Sequence, residues 1–252
     1  MSAFSRLVDA VSSVVSSHDV RLETPMGPRK IFVYPSGRLS SFHEKTVIED
    51  VLDELNADDV FYDIGANFGR YACTIGVVKP DVQVVAIEPH PKNFEILQSN
   101  FKRNRINADT LECALSKQSG KMRLQEEDHP ARHNLTTSGN EGVLVDVKTG
   151  DEIIEENLSP KPDVIKIDVE GAEFDVLKGL ERTLSRGVCR VVYIELHPFA
   201  LGRFETTTEE IESFLFEKGF SVDSIHQRKV TGPHDDEEQE QIFLKATRES
   251  SR

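Results

Sequence analysis

Apolar positions change their spacing at about residue 58 of this chain. Upstream, Phe4, Leu7, Val8, Val11, Val14 and Val15 recur at helical spacing, which predicts an amphipathic helix over 4–15. Two short apolar runs, 20–23 and 30–34, flank Pro25-Met26-Gly27-Pro28 and predict a small β-hairpin. Val47, Val51, Leu52 and Leu55 share one face of a second helix predicted over 41–55. Residues 1–57 are therefore expected to form a helix–hairpin–helix cap packed on a main domain spanning 58–252.

Downstream, short apolar runs at 60–64, 82–87, 164–169 and 191–196 alternate with amphipathic helices. Near-continuous Val/Ile runs mark strands buried on both faces, as in a parallel sheet sandwiched by helices. Pro91 suits the first position of a helix carrying Phe94, Leu97 and Phe101. Phe174, Leu177, Leu180 and Leu184 form a further stripe. Thr207 with Glu210 predicts a capping box, and Gly219 the matching stop. Segments 220–226 and 241–246, separated by an acidic stretch, predict a closing antiparallel hairpin. The fold class is α/β.

Length and composition narrow the function. A chain of 252 residues, 38% of them hydrophobic, can bury the core of one large α/β domain. Lys+Arg total 30 against 44 Asp+Glu, a formal net charge of −14. That balance argues against a nucleic-acid partner and against an anionic membrane surface. No apolar run reaches the roughly 18–20 residues of a membrane span. The first 17 residues lack the compact apolar stretch of a signal peptide. Cys73, Cys113 and Cys189 sit at spacings that suit neither zinc nor a disulfide framework, so a reduced, cytoplasmic protein is expected.

The segment Asp63-Ile64-Gly65-Ala66-Asn67-Phe68-Gly69 follows a predicted strand and opens a helix. Glycines there let the backbone pass close to a ligand. The next strand ends at Glu88, where a carboxylate can accept both hydroxyls of a ribose. Asp63 replaces the first glycine of the dinucleotide fingerprint; an acid there repels a pyrophosphate but suits an ammonium or sulfonium. A tight turn capped by Asn67 beside an unrelated acidic strand end is the plainer alternative. With Glu88 at the correct strand end, ligand binding is favoured, and S-adenosylmethionine fits better than a dinucleotide.

FYDIGANFGRYA, VVAIEPHPKNFEILQSNF, DVIKIDVEGAEFDVLKGL and VVYIELHP, in that order, resemble the FkbM-type S-adenosylmethionine-dependent methyltransferases over about residues 42–200. The resemblance implies the class I methyltransferase (Rossmann-like) fold. That is a seven-stranded, mostly parallel sheet of order 3-2-1-4-5-7-6, with strand 7 antiparallel and helices on both faces. It also implies methyl transfer, usually to a hydroxyl of a small molecule or glycan. By the same resemblance Asp63, Gly65, Ala66, Asn67 and Gly69 would surround the amino-acid end of the cofactor. Glu88 would hold the ribose beside Pro89 and His90. After a third strand over 110–115, Cys113, Ala114, Leu115 and Ser116 would flank the adenine, with backbone groups or Ser116 taking its amino group.

Ligands of open α/β sheets bind beyond the carboxyl ends of the strands, at the switch point between strands 1 and 4. There the chain places Lys166, Asp168, Glu170 and Glu173, and strand 5 ends with Tyr193, Glu195 and His197. Lys166 and Asp168 share one face of their strand, as do Tyr193, Glu195 and His197. A Lys in a buried strand needs a partner, and Glu195 or Asp63 is expected to supply it. The pair Lys166–Glu195 can equally be structural. For a hydroxyl nucleophile, His197 is the best-placed base, with Asp168 or Glu170 as substitutes. A third, less favoured option has Asp168 with Glu195 or His197 hold Mg²⁺. The assignment made is therefore catalysis without metal, with Asp168 also near the cofactor.

Nitrogen-methylating enzymes of this fold commonly carry an Asn/Asp-Pro-Pro-aromatic loop after strand 4, where this chain has Asp168-Val169-Glu170-Gly171. A nitrogen acceptor, including nucleic acid, is therefore an alternative of lower rank. A cofactor-binding module without methyl transfer is another. The insertion 126–145, with His129, Arg132 and His133, is read as a polar lid or a solvated loop.

Overall fold

The computed structural model describes residues 19–24, 27–32, 45–126, 133–136, 142–202, 206–231 and 238–248. The helix expected over 4–15 lies outside these, as do His129 and Arg132. The N-terminal hairpin pairs β1 (Asp19–Thr24) with β2 (Gly27–Phe32) antiparallel, so its second strand starts earlier than the expected residue 30, while residues 33 and 34 lie outside those described. Helix α1 (Lys45–Glu54) follows, then β3 (Val60–Ile64), α2 (Arg70–Val78), β4 (Gln83–Ile87), α3 (Pro91–Asn104) and β5 (Asp109–Leu111). A second sheet is built from β6 (Ala114–Leu115), β7 (Gly120–Glu126), β8 (His133–Thr136) and β9 (Val143–Lys148). The chain then runs through α4 (Gly150–Glu155), β10 (Val164–Ile167), α5 (Glu173–Gly179), α6 (Glu181–Ser185), β11 (Val191–Leu196) and α7 (Pro198–Leu201). Helix α8 (Thr208–Glu217), β12 (Phe220–Thr231) and β13 (Glu238–Arg248) complete it.

The main sheet has seven strands in the order β5-β4-β3-β10-β11-β13-β12. Counting only these strands along the chain, that is 3-2-1-4-5-7-6. The strands are parallel except β13, which runs antiparallel to both neighbours. Alternating side chains divide the core into two layers. Phe61, Val84, Val164, Val191 and Phe243 pack under α1, α2 and α3. Tyr62, Val85, Ile165, Val192 and Leu244 pack under α4, α5, α6 and α8. The apolar face of α1 (Val47, Ile48, Val51, Leu52) belongs to the first layer, so this helix shares its core with the sheet.

The expected helix stops hold. Thr207 and Glu210 exchange both bonds of a capping box, and Gly219 ends the turn after α8 with φ of 83°. The stripe 174–184 is two helices, because the chain breaks at Leu180, which caps both. The third strand also differs from the expected 110–115. Pairing with β4 ends at Leu111, and Ala114–Leu115 turns away to pair with β9 in the second sheet.

Of the insertion read as a lid or loop, the described residues 126, 133–136 and 143–145 belong to that second sheet, ordered β6-β9-β7-β8. Its inner face carries Ala114, Leu124, Val145 and Val147, with Met122 packed against them. Outside, Lys121 pairs with Asp146 at 2.8 Å, directly across the β7–β9 ladder. Short strands with one wet face carry fewer apolar residues than the buried strands of the main sheet.

Candidate active site

Period-two alternation puts Asp63, Lys166, Asp168, Tyr193, Glu195, His197 and Gln241 on the α1–α3 side of the sheet. Asp63 and Tyr193 are the register partners of Lys166 on either side. Beyond the carboxyl ends of β3, β4 and β10 lies a cleft of about 620 Å³, open to solvent. Of the residues expected at the cofactor, Gly65, Asn67, Glu88, Pro89, Ala114, Leu115 and Asp168 line it. Cys113 lines it too, and Glu170 stands at the same wall.

Glu88 is the best-fixed polar group of the cleft. Its Oε2 accepts the Asn67 backbone N–H at 2.8 Å, and its Oε1 accepts that of His90 at 2.9 Å. Burial pushes its carboxyl up to about 7, against the pull of those two bonds; the charges of Asp63 and Asp168 add to the rise. Gly65 has φ of +79°, and a Cβ there would lie 1.8 Å from the Asp168 carbonyl oxygen. Only glycine lets the ends of β3 and β10 approach so closely.

Asp63, Ala66, Gly69 and Ser116, expected to touch the cofactor, are buried behind this wall. Asp63 instead accepts the Ala72 N–H at 3.0 Å. This satisfies a first-turn donor of α2, whose N-cap, Gly69, has no side chain to do so. Gly69 itself is needed for packing, since a Cβ there would meet Leu97 at 2.5 Å. Ser116 sits with its carbonyl against Gly179.

Lys166 pairs at 2.9 Å with Asp168, just beyond the end of its own strand, and lies 4.5 Å from the centre of the Tyr71 ring. Glu195, with Asp63 an expected partner, is hydrogen-bonded by Gln241. Burial works against the charge of Asp168, but the Lys166 ammonium and then His197 outweigh it and hold the carboxyl below the usual aspartate range.

His197 is buried among carboxylates from three segments. Its Nε2 lies 3.5 Å from Glu170 and 3.8 Å from Glu195, and its Nδ1 lies 3.8 Å from Glu173. Burial favours the neutral ring, yet Glu173, Glu170, Asp168 and Glu195 together raise its pKa to about 10. Those carboxylates favour the protonated ring, whereas the Gln241 amide nitrogen, 2.8 Å from Nε2, favours an unprotonated nitrogen at that position. Glu170, in the left-handed region at φ of 54°, is turned toward the ring by the tight bend before α5. Gly171 completes that bend and donates its N–H to Glu173 at 2.9 Å.

Sequence reasoning missed Asn93, Leu124 and Gln241. Asn93 lines the cleft and lies 3.5 Å from the Asn67 side chain. Leu124 reaches it from the second sheet. Gln241 bridges Glu195 and His197, with its amide nitrogen 2.8 Å from His197 Nε2. A glutamine heading the apolar run 242–244 was the signal for it.

A sheet of this order, with a glycine turn after its first strand and an acid ending its second, defines a class I methyltransferase. The family model of the methyltransferase FkbM domain matches residues 63–222. The chain belongs to this family and is an S-adenosylmethionine-dependent methyltransferase. It is 35% identical over 156 residues to the hexuronic acid methyltransferase AglP of Haloferax volcanii, across 61% of this chain and 62% of that protein. It is 31% identical over 203 residues to the 31-O-demethyl-FK506 methyltransferase FkbM of Streptomyces tacrolimicus, across 67% of this chain and 75% of that protein. Among solved structures, precorrin-6y C5,15-methyltransferase from Geobacter metallireducens has the same fold, with a TM-score of 0.51 at 15% identity over 81% of this chain and 88% of that one. Among the described residues no helix is long and apolar enough to cross a membrane.

Proposed function

We propose that this methyltransferase acts on oxygen, methylating a hydroxyl of a small molecule or glycan, with sugar acids the first class to try. The observation that carries this reading is the crowd of carboxylates, Asp168, Glu170, Glu173 and Glu195, about His197 beside the cofactor cleft. Carboxylates accept O–H groups, whereas the carbonyl-rich loop that grips a planar amine is replaced by Asp168-Val169-Glu170-Gly171. The names of the Haloferax and Streptomyces relatives, which give hexuronic acid and 31-O-demethyl-FK506, agree with it.

The residues present fit the cofactor. Gly65 lines the cleft and lets the ends of β3 and β10 meet at its wall, and Glu88 presents a carboxylate braced by two N–H groups to a pair of ribose hydroxyls. Ile87, Leu115 and Val169 supply apolar wall for an adenine. When bound, S-adenosylmethionine supplies a methyl group already activated by a sulfonium. The chain contributes position: Asp168 and Glu170 hold the acceptor on line with that carbon, a contribution worth several kcal/mol. Glu170 would take the hydroxyl proton of the acceptor, since Asp168 is paired with Lys166 at 2.9 Å. The buried, unpaired cysteines fit a reducing, cytoplasmic setting.

The test is transfer from methyl-labelled cofactor to a panel of uronic acids, neutral glycans, polyols and amines, read by mass spectrometry. Methyl on oxygen is expected. Methyl on nitrogen, or cofactor binding with no product from any pool including a metabolite extract, would overturn the reading.

A further inference from the structure

We propose that Asp168, Glu170 and His197 bind a divalent metal ion beside the cofactor cleft, and that this ion grips the oxygens of the acceptor. The inference rests on the oxygen-methylation reading above and adds the element that would bring an acceptor to an acidic site.

The geometry comes first. One ligand atom from each of the three residues lies within 4.8 Å of the others. Two ligands about 2.1 Å from one ion stand at most about 4.2 Å apart, so the trio must close by about half an ångström, within reach of small side-chain rotations. The arms are well placed for it. Asp168 follows β10, Glu170 is fixed in a left-handed bend, and His197 follows β11, the strand paired with β10.

A second observation lies behind the ring. Glu173 has no exposed surface, and its Oε1 sits 3.8 Å from His197 Nδ1. Its other oxygen, Oε2, has no hydrogen-bond partner among the described residues. A buried, half-satisfied carboxylate on one nitrogen of an imidazole is the arrangement that orients a metal-binding histidine and strengthens its other nitrogen as a ligand. At that other nitrogen the neighbour is the Gln241 amide, 2.8 Å away, the group an ion would displace.

The donor set is two carboxylates and one imidazole. Carboxylates favour hard ions and imidazole draws the choice toward the first transition row, so Mn²⁺ suits the set better than Mg²⁺. Three protein ligands leave positions for the acceptor. A sugar acid, with a carboxylate beside a hydroxyl, offers two hard oxygens to fill them, which removes the repulsion that Asp168 and Glu170 would otherwise exert on an anionic substrate. With Glu170 on the ion, the hydroxyl proton, made more acidic by the metal, leaves to water in place of Glu170.

The experiment titrates the chelator-treated full chain with Mn²⁺ and follows free Mn²⁺ by electron paramagnetic resonance. One ion per chain is expected, held equally by wild type and Glu88→Gln, and about tenfold or more weaker in Asp168→Asn and Glu170→Gln. Glu170 lies on an open bend, so its variant keeps the fold; thermal melts of both verify this. No bound Mn²⁺, or equal binding by the two ligand variants, overturns the metal site. Labelled methyl transfer with and without chelator separates the two readings: transfer undiminished by chelation removes the ion from the reaction while leaving oxygen methylation standing. Mn²⁺ binding without transfer to any oxygen acceptor leaves the site and removes the function.

Discussion

Asn67 donates its backbone N–H to Glu88 Oε2 at 2.8 Å, which ties the glycine turn after the first strand of the sheet to the acid that ends the second. With the His90 N–H on Oε1, this bond fixes both oxygens of a carboxyl that burial holds at about 7.

Cofactor affinity is therefore expected to fall as pH drops through about 7, because a protonated Glu88 is the weaker acceptor for ribose hydroxyls. Calorimetric titration with S-adenosylmethionine at pH 6 and pH 8 reads it. Glu88→Gln should bind about tenfold or more weakly at pH 8 and lose this pH dependence. The folded pKa lies above the unfolded value of 4.5, so the contribution of Glu88 to stability is present below 4.5 and lost as pH rises through about 7. The advantage of Glu88→Gln in thermal melts should accordingly grow from pH 5 to pH 8. A constant difference would contradict the raised pKa.

Gly65→Ala should cripple cofactor binding and cost about 2–4 kcal/mol of stability, since its Cβ would meet the Asp168 carbonyl oxygen at 1.8 Å as well as strain φ. Gly187→Ala is the control: φ is +75° there too, but nothing lies within 4 Å of the added carbon. It should lose only about 1 kcal/mol and leave binding intact. Denaturant unfolding of the two separates close approach from backbone strain.

Lys166→Met removes the cation 2.9 Å from Asp168 and should destabilise by about 2 kcal/mol, below the full cost of a buried pair because Asp168 keeps 26% of its side chain exposed. Adding Asp168→Asn should restore part of that loss. An additive double variant would show that the two side chains do not interact.

Tyr193→Phe tests how α1 is held to the sheet. The Tyr193 hydroxyl donates to Asp50 at 2.6 Å, and Lys245 reaches both Asp50 and Glu54. Loss of the hydroxyl should cost about 1–2 kcal/mol in urea unfolding, with methyl transfer unchanged.

The parts legible in the sequence share one physical property. Val60–Ile64 and Val191–Leu196 are buried on both faces, so their apolar runs, interrupted only by Asp63 and Glu195, mark the strand ends to the residue. The second sheet is not like that. In β7 and β9 polar and apolar residues alternate over one wet face, and Leu124 reaches the cleft from a segment where the apolar pattern predicts no element. Glu88 was legible because one strand end positions it. The ionisation of His197 was not, because it is set by four carboxylates that come together only in the fold.

The contact between Gly65 and the Asp168 carbonyl has a consequence for timing. Because these backbones touch, a ligand that spreads the glycine turn must also push the strand end that carries the acid cluster. A shift of the glycine turn on the methyl-donor side would therefore be felt at once by the backbone of Asp168, on the acceptor side.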